Sequence, residues 1–293
     1  MEATTNTVDL GAQWREEWAD AQKIRGPSVK HMSVFYRNIE EELDRGRQLG
    51  LGFPMHIPSH TVDFSSCDTL GMGQTGALKE EYVKEVDANP GYYIGATGSR
   101  LLDGTSRYND DFEKEIAAAY GVESALIVHS GNTANQAIFS TIPRSGDVIV
   151  YDELMHATAL VGMKTCLALE QRLFRHNDVE HFVEVMEAVK DAFPLVRSGK
   201  RTVIVAVESW YSMDGDICPL QELVDAAKEI FPQGNAQFIV DEAHSFGATG
   251  PDGLGFVEEL GLGDEVACRM VTFTKALAGS GGKISPPFSI FIG

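Results

Sequence analysis

The fold is indicated by TVIVAVESWYSMDGDICPLQELVDAAKEIFPQGNAQFIVD, residues Thr202–Asp241, in which two apolar runs flank a helical pattern. The runs TVIVAVE and QFIVD are apolar almost throughout, whereas PLQELVDAAKEIF places its apolar residues at helical spacing. Strands without a polar face are typical of a parallel sheet covered on both sides by helices. The stretch therefore predicts a strand–helix–strand unit of such a sheet.

The same alternation extends beyond this unit. Further strands are predicted at ALIVH (Ala125–His129), DVIVY (Asp147–Tyr151) and MVTF (Met270–Phe273). Further helices are predicted at DDFEKEIAAAYG, NTANQAIFSTI and DVEHFVEVMEAVKDAF. We therefore predict an α/β fold with three layers, in which helices cover both faces of a mainly parallel sheet.

Two segments differ in composition. Residues 1–60 are predicted to form an N-terminal helical segment, because SVFYRNIEEELDRGRQLG has apolar residues at helical spacing and ends in glycine. Near Asp63 the sequence changes to loops rich in Gly, Ser, Thr and Asn. We predict that residues 61–293 form the large ligand-binding domain.

Charge and cysteine usage exclude several classes of function. The formal net charge of −19 disfavours partnership with nucleic acid or with an anionic membrane surface. The 4 cysteines are far apart and form no C-x-x-C pair, which favours a reducing compartment over a disulfide framework or zinc cluster. No apolar run approaches the ~20 residues of a membrane helix, and the first residues lack a signal pattern. We expect a soluble cytoplasmic protein.

Polar residues follow every predicted strand, at the edge where parallel sheets bind ligands. Most of them have an ordinary structural explanation when taken singly, such as a helix cap or a turn. The exception is Asp241, because a carboxylate at the end of a buried strand is costly unless it meets a cation. The polar groups, in chain order, are Ser130, Gly131 and Asn132, then His156, then Ser212, then Asp241 and His244, and finally Thr272 and Lys275.

Together these residues match the needs of pyridoxal 5′-phosphate. Its aldehyde forms a Schiff base with a lysine, and Lys275 lies among small residues in VTFTKALAGSGGK. Its pyridine nitrogen needs a carboxylate partner, for which Asp241 is the candidate. Its phosphate can bind at a helix N-terminus such as the one predicted after Ser130. We predict that Lys275 binds this cofactor.

A series of motifs resembles the α-oxoamine synthases among the fold-type I pyridoxal phosphate enzymes. The motifs are GATGSRLLDGT, HSGNTAN, GDVIVYDELMHAT, FRHND, VESWYSMDGDICPL, VDEAHSFGATGPDGLG and TFTKALAGSGG. The resemblance implies decarboxylative condensation of a small amino acid with an acyl-CoA thioester, which yields a 2-aminoketone. It also implies a homodimer.

The resemblance assigns roles residue by residue. Lys275 is implied to hold the cofactor and to remove the substrate Cα proton, and Asp241 to pair with the pyridinium. His156 is implied to stack on the ring, and His244 to bond its 3′-oxygen. The remaining contacts implied are Ser212 near that oxygen and Ser130, Gly131, Asn132 and Thr272 at the phosphate.

The sequence also departs from the family pattern. Cys67, Thr69 and Asn109 replace the Asn, Tyr and His common in relatives, which bears on recognition of the amino acid. Asn132 stands where relatives often have an aromatic residue, and only its backbone amide is expected to matter.

The family continues after the lysine loop into an antiparallel strand and a small C-terminal domain that carries a substrate-binding arginine. Here GGKISPPFSIFIG departs from that pattern after Gly282. Because prolines cannot donate ladder hydrogen bonds, FSIFI is expected to supply at most a partial strand. We expect a truncated chain that lacks a sheet strand and the C-terminal domain.

Other motifs suggest different functions. DEAH suggests a helicase, but the required G-x-x-x-x-G-K-[ST] is absent upstream, and GSGGKIS lies downstream with Ile284 after its lysine. GATGSR and GLGDEV do not follow strands as a dinucleotide loop requires. A catalytically silent, truncated paralogue and an aminotransferase of the same fold type stay open as alternatives.

Overall fold

The computed structural model describes residues 10–54, 62–91, 93, 95 and 97–285. The chain divides into two compact units, Met1–Phe64 and Ser65–Gly293. The described helices of the first unit are α1 (Leu10–Ala21), α2 (Gly26–Val29) and α3 (Val34–Gln48). The helix predicted from SVFYRNIEEELDRGRQLG is therefore confirmed.

A buried carboxylate organises the first unit. Asp44 on α3 accepts hydrogen bonds from the backbone N–H groups of Arg25 and Gly26, at 2.8 and 2.6 Å. It also pairs with Arg47. Because these donors lie at the start of α2, Asp44 attaches the N-terminus of α2 to α3.

The second unit contains the sheet and its covering helices. The described strands are β1 (Leu126–Val128), β2 (Val148–Asp152), β3 (Glu170–Phe174), β4 (Val203–Glu208), β5 (Ala236–Asp241), β6 (Val266–Thr272) and β7 (Gly282–Ser285). They form a 7-stranded sheet in the order β1-β7-β6-β5-β4-β2-β3. β7 is antiparallel to both neighbours, and all other pairs are parallel.

Helices of the second unit precede β1 or occupy the connections between strands. They are α4 (Met72–Thr75), α5 (Ala77–Ala88), α6 (Arg107–Ala119), α7 (Gly131–Thr141), α8 (Ala157–Met163), α9 (Val179–Ala192), α10 (Pro194–Arg197), α11 (Leu220–Ile230) and α12 (Phe256–Glu259). Single 3₁₀ turns lie at Pro251–Gly253 and Gly263–Glu265. The four helices predicted in this part of the sequence are confirmed within a few residues.

Both faces of the sheet are buried. Val203, Val205 and Val207 of β4 pack with α9 and α11, whereas Ile204 and Ala206 pack with α7 and α8. Alternate residues of a strand point to opposite faces. This arrangement explains why the predicted strands are apolar throughout, and it confirms the predicted α/β class.

Two strands of the described sheet were not predicted from the sequence. β3 (Glu170–Phe174) is largely polar, and β7 (Gly282–Ser285) precedes the two prolines. The expectation of a missing sheet strand was wrong, because β7 pairs with β1 and β6 inside the sheet. The predicted partial strand FSIFI lies outside the described residues.

β7 brings charge into the interior. Lys283 is 1% exposed, and its Nζ lies 2.9 Å from the centroid of the Tyr120 ring. Burial lowers the pKa of Lys283 to about 6 and raises the pKa of nearby Glu242 to about 7. Both groups therefore approach their neutral forms near neutral pH.

Among the helices of the described residues, none combines the length and the apolar character needed to cross a bilayer.

Candidate cofactor site

Buried carboxylates collect at the carboxyl ends of the parallel strands. Glu208 ends β4 and lies opposite Asp241, which ends β5, while Asp152 ends β2. All three side chains are at most 4% exposed. A buried ionised carboxylate is costly unless a positive charge or hydrogen bonds compensate it. This edge of the sheet therefore favours binding of a positively charged group.

Asp241 is held by two hydrogen bonds. Its Oδ2 accepts from Asn135 Nδ2 at 2.8 Å, and its Oδ1 accepts from the backbone N–H of Ala243 at 2.9 Å. Burial nevertheless raises the pKa of Asp241. The positive charges of Lys275 and His156 act in the opposite direction, which shows that both lie within electrostatic reach of the carboxylate.

The two predicted histidines lie near the same lysine. Burial, followed by the charges of Lys275 and His156, lowers the pKa of His244 to about 4. His156 caps α8, since its Nδ1 accepts from the backbone N–H of Thr158 at 3.2 Å and lies 2.7 Å from Thr158 Oγ1. Lys275 thus acts electrostatically on both Asp241 and His244. Hydrogen bonds through Asn135 and Thr158 connect His156 to Asp241.

The N-terminus of α7 is the predicted phosphate cradle. Ser130 caps the helix by accepting from the backbone N–H of Thr133 at 3.1 Å. A Cβ placed on Gly131 would lie 3.1 Å from Thr272 Cβ and 3.4 Å from Met270 Sδ. Glycine therefore allows the first turn of the helix to approach β6 closely.

Three further predicted residues lie on α7, on β6 and in the loop after β4. Asn132 is exposed, and its side chain bonds Gln136 within the helix. Thr272 is 5% exposed, and its hydroxyl donates to the carbonyl of Gly281 at 3.1 Å. Ser212 is exposed in the loop between β4 and α11.

Asn135 and Glu208 were missed as site residues. Asn135 shares a buried face of α7 with Ile138 and Phe139, and a polar residue on such a face is a signal for an interior hydrogen bond. Burial and the neighbouring Asp241 raise the pKa of Glu208 to about 8. No sequence pattern separates a carboxyl of this kind from an ordinary strand end.

Comparison with known proteins agrees with this geometry. The aminotransferase class I and II family matches residues 59–285. The chain belongs to this family. Proteins of the family depend on pyridoxal phosphate, so the predicted cofactor is confirmed.

Several relatives of this aminotransferase class I and II protein are α-oxoamine synthases, which confirms the group predicted from the motifs. Aminoacyl transferase sphA of Aspergillus fumigatus is 44% identical over 91% of this chain and 58% of its own length. The 8-amino-7-oxononanoate synthase of Emericella nidulans is 43% identical over 77% of this chain and 55% of its own. The chain thus spans 58% or less of these relatives.

A solved structure gives the same result for the fold. Serine palmitoyltransferase of Sphingomonas wittichii superposes with a TM-score of 0.66 and is 31% identical, over 77% of this chain and 53% of its own.

The residues present fit the cofactor of this family. Asn135 Oδ1 and Glu208 Oε1 are buried without a hydrogen-bond partner among the described residues. Both belong to side chains beside Asp241, so two buried oxygens next to this carboxylate are available to accept hydrogen bonds from a ligand. The close approach of Gly131 to Thr272 leaves the helix N-terminus free of a side chain that would obstruct a phosphate.

Proposed function

We propose that this protein is a pyridoxal phosphate-dependent α-oxoamine synthase. It condenses a small amino acid with an acyl-CoA thioester, with loss of carbon dioxide, and forms a 2-aminoketone. The observation that carries this proposal is the buried carboxylate of Asp241 at the end of β5, which Asn135 and Thr158 connect to His156, with Lys275 following the neighbouring strand β6. The motif order and the named relatives support the acyl-transfer chemistry.

The proposed binding residues divide by the part of the cofactor they contact. When bound, pyridoxal phosphate supplies an aldehyde that captures an amine and a ring that withdraws electrons from the substrate Cα. Asp241 would pair with the ring nitrogen, and His156 would contact the ring. His244 and Ser212 would bond the 3′-oxygen. The phosphate group would be held by Ser130, Gly131, Asn132 and Thr272.

Asp241 acts through charge. Its carboxylate is buried, and burial alone favours the protonated form. Contact with a cationic ring nitrogen would favour the ionised form of Asp241, since an opposite charge lowers a carboxyl pKa by roughly 1–3 units. The carboxylate in turn would keep that nitrogen protonated. The hydrogen bond from Asn135 holds the carboxylate in place for this exchange.

Lys275 is proposed to act as the cofactor-binding amine and as a general base. Its side chain is half-buried after β6, beside the buried Ala276. We propose that the Nζ amine holds the cofactor and takes the Cα proton of the amino acid. A general base must lie within hydrogen-bond reach of the proton it removes. The flexible four-carbon stem of Lys275 allows the amine to adjust its position toward that proton.

Cofactor binding is tested by spectroscopy and mass spectrometry. Addition of pyridoxal phosphate is expected to produce a visible absorption band, and borohydride is expected to remove the band and fix the cofactor on the peptide that contains Lys275. Lys275→Ala is expected to lose both signals. Lys164→Ala, which removes an exposed lysine at the end of α8, is expected to keep them. A wild-type protein without the band favours the silent paralogue.

The reaction class needs a separate assay. An α-oxoamine synthase releases coenzyme A when glycine, alanine or serine is supplied with an acyl-CoA. An aminotransferase instead converts amino acids to keto acids without coenzyme A release. Keto acid formation alone would contradict the proposal and favour the aminotransferase.

We also propose a homodimer in the cytoplasm. Leu101, Leu102 and Met213 are 85, 82 and 88% exposed, and large exposed apolar side chains are typical of surfaces that a partner covers. The free state of all the cysteines supports a reducing compartment. Light scattering tests the dimer, and microscopy of a fluorescent fusion tests the location.

A further inference from the structure

The motif FRHND (Phe174–Asp178) has no role in the proposed chemistry, yet its histidine is the centre of a polar network. His176 Nδ1 lies 2.8 Å from Asp152 Oδ1, and His176 Nε2 lies 2.6 Å from Asp216 Oδ2. The side chain of His176 is 17% exposed and that of Asp152 is 0% exposed. The ring therefore bridges the end of β2 to the loop that follows β4.

The geometry fixes the charge of this ring. Carboxylates accept hydrogen bonds, and a neutral imidazole has a single N–H to donate. Two ionised carboxylates at hydrogen-bond distance both receive a hydrogen bond from the ring only when both ring nitrogens are protonated. In agreement, the hydrogen bonds to Asp152 and Asp216 raise the pKa of His176 although burial opposes them.

Asn177 reinforces the bridge. It adopts the left-handed region at φ 52°, and its backbone N–H donates to Asp152 Oδ2 at 2.9 Å. Its side-chain Nδ2 donates to Asp216 Oδ2 at 2.7 Å. Asp216 thus receives hydrogen bonds from two consecutive residues of the motif, which distinguishes this bridge from a loose surface contact.

Residues 209–218 form the segment that the bridge holds, here called the 209–218 loop. At one end, Ser209 donates from N and Oγ to the carbonyl of Asp241, at 2.9 and 3.1 Å. At the other end, Asp216 reaches His176. Ser212 lies between these two anchors, so its position depends on both.

The loop also contacts His176 through an aromatic ring. His176 meets Tyr211 edge to face, with centroids 4.4 Å apart and planes at 83°. Tyr211 Oη accepts from the backbone N–H of Glu208 at 3.3 Å. His176 is therefore connected to the strand end beside Asp241 by a continuous set of contacts.

We propose that His176, as a cation between Asp152 and Asp216, is a positioning residue that fixes the 209–218 loop and thereby places Ser212 at the cofactor. This inference deepens the proposed function and rests on it for the role of Ser212. The fixation itself is a property of the protein without cofactor.

The pH dependence follows from the charge of the bridge. The titratable side chains in contact with the His176 ring are Asp152 at the end of β2 and Tyr211 and Asp216 of the 209–218 loop. Glu153 accepts from the backbone N–H of His176, while Arg175, Asp178 and His181 contact one another beside the motif. A group whose folded pKa is raised contributes stability below its unfolded pKa and loses it as pH rises through the folded pKa. The loop is therefore fixed at acidic pH and loosens as the pH rises through the raised pKa of His176.

Amide hydrogen exchange of the apo-protein tests the fixation. Protection of peptides within 209–218, normalised to intrinsic rates, is measured at about pH 6 and about pH 9. Wild-type protection is expected to fall roughly tenfold between them, because charge-assisted hydrogen bonds are lost. His176→Gln is expected to show the low protection at both pH values.

Asp216→Asn provides the decisive variant, since it removes the charge and keeps the shape. A neutral His176 can donate to Asp152 and accept from the side-chain amide that this substitution introduces, so protection is expected to persist at both pH values. A merely structural role would not make the loop independent of pH in this variant.

His181→Gln is the matched control. His181 belongs to α9, and its Nδ1 accepts from the backbone N–H of Arg175 in the FRHND motif at 2.8 Å. This variant is expected to leave the 209–218 loop unchanged. Its dissociation constant for pyridoxal phosphate is expected to match wild type, whereas that of His176→Gln rises roughly tenfold.

Each outcome decides the matter. Equal loop protection in wild type and His176→Gln at both pH values overturns the inference, even if Lys275 binds the cofactor. Should wild type fail to bind pyridoxal phosphate, the proposed function falls, and the exchange data still decide the fixation. If His176→Gln does not fold by circular dichroism, loss of pH dependence in Asp216→Asn supports the inference and its retention overturns it.

Discussion

Asn135 Nδ2 donates to Asp241 Oδ2 at 2.8 Å, from a helix to the neighbouring strand end. The same amide nitrogen also donates to Thr158 Oγ1 at 3.0 Å, and that hydroxyl lies 2.7 Å from His156 Nδ1. One buried side chain thus joins the helix proposed to hold the phosphate, the carboxylate proposed to face the ring nitrogen, and the histidine proposed to face the ring.

Asn135→Leu is expected to raise the dissociation constant for pyridoxal phosphate roughly tenfold or more, because the volume is kept but the hydrogen bond to a charged group is lost. Titration of the visible band measures it. Gln136→Ala, whose amide bonds only Asn132 among the hydrogen bonds described, serves as control. Equal affinities for Asn135→Leu and wild type would contradict the coupling.

Gly131→Ala is expected to weaken binding of pyridoxal phosphate more than binding of pyridoxal, which lacks the phosphate. The added Cβ would lie 3.1 Å from Thr272 Cβ, so the first turn of α7 has to shift away from β6. Parallel titrations with the two compounds measure the effect. Asn132→Ala keeps the backbone amide and is expected to leave the ratio unchanged, and a similar loss for both compounds would place the phosphate elsewhere.

Glu208→Gln is expected to remove a pH dependence of stability. Burial raises the pKa of Glu208 to about 8, above its ordinary value of 4.5. Between those values the folded protein holds a proton that the unfolded chain releases, so wild-type stability falls as pH rises, by up to about 1.4 kcal/mol per pH unit.

Urea unfolding of the apo-proteins across this range measures the difference. The advantage of Glu208→Gln over wild type is expected to grow from about pH 5 to about pH 8 and then to level off. Glu229→Gln, an exposed change on α11, is expected to track wild type at every pH. A constant offset between Glu208→Gln and wild type would show that Glu208 ionises normally.

Lys283→Met is expected to stabilise the protein by about 1–3 kcal/mol, because the buried amine has no hydrogen-bond partner among the described residues and burial of such a polar group is costly. Burial lowers the pKa of Lys283 to about 6, so the unfolded chain binds the extra proton between that value and 10.5. The gain is therefore largest at about pH 6 and declines as pH rises.

Urea unfolding at two pH values measures this gain. The exposed Lys228, which pairs with Glu265 at 2.6 Å, provides Lys228→Met as a control with little expected change. A loss of stability in Lys283→Met would mean that the buried amine has a partner strong enough to offset its desolvation.

The sequence predicted those parts of the fold in which local pattern and tertiary position agree. The strands around Ile127, Val150, Val205, Val240 and Val271 are apolar on both faces because helices cover both faces. β3 lies at the edge of the sheet and keeps one face exposed, so its sequence is largely polar. It was not predicted because only apolar runs were interpreted as strands. β7 is short and carries a lysine, and only its place between two strands makes it a strand.

The site divides in the same way. Lys275, Asp241, His156 and His244 follow strands, and the parallel topology was enough to predict that they meet. Asn135 was missed because its role depends on which face of α7 is buried, which the sequence of the helix indicates only weakly. The roles of the predicted residues toward the cofactor stay predictions.

The antiparallel strand β7 has a consequence for the order of assembly. It is the neighbour through which β1 joins the described sheet, although β1 precedes it by most of the second unit. A ribosome therefore makes Leu126–Val128 long before the segment that receives it, and the growing chain must hold an unmatched strand in the meantime. Contacts between segments so distant in sequence slow folding. Nascent chains of this protein are expected to spend that interval as clients of chaperones, with β1 and β6 as the exposed edges.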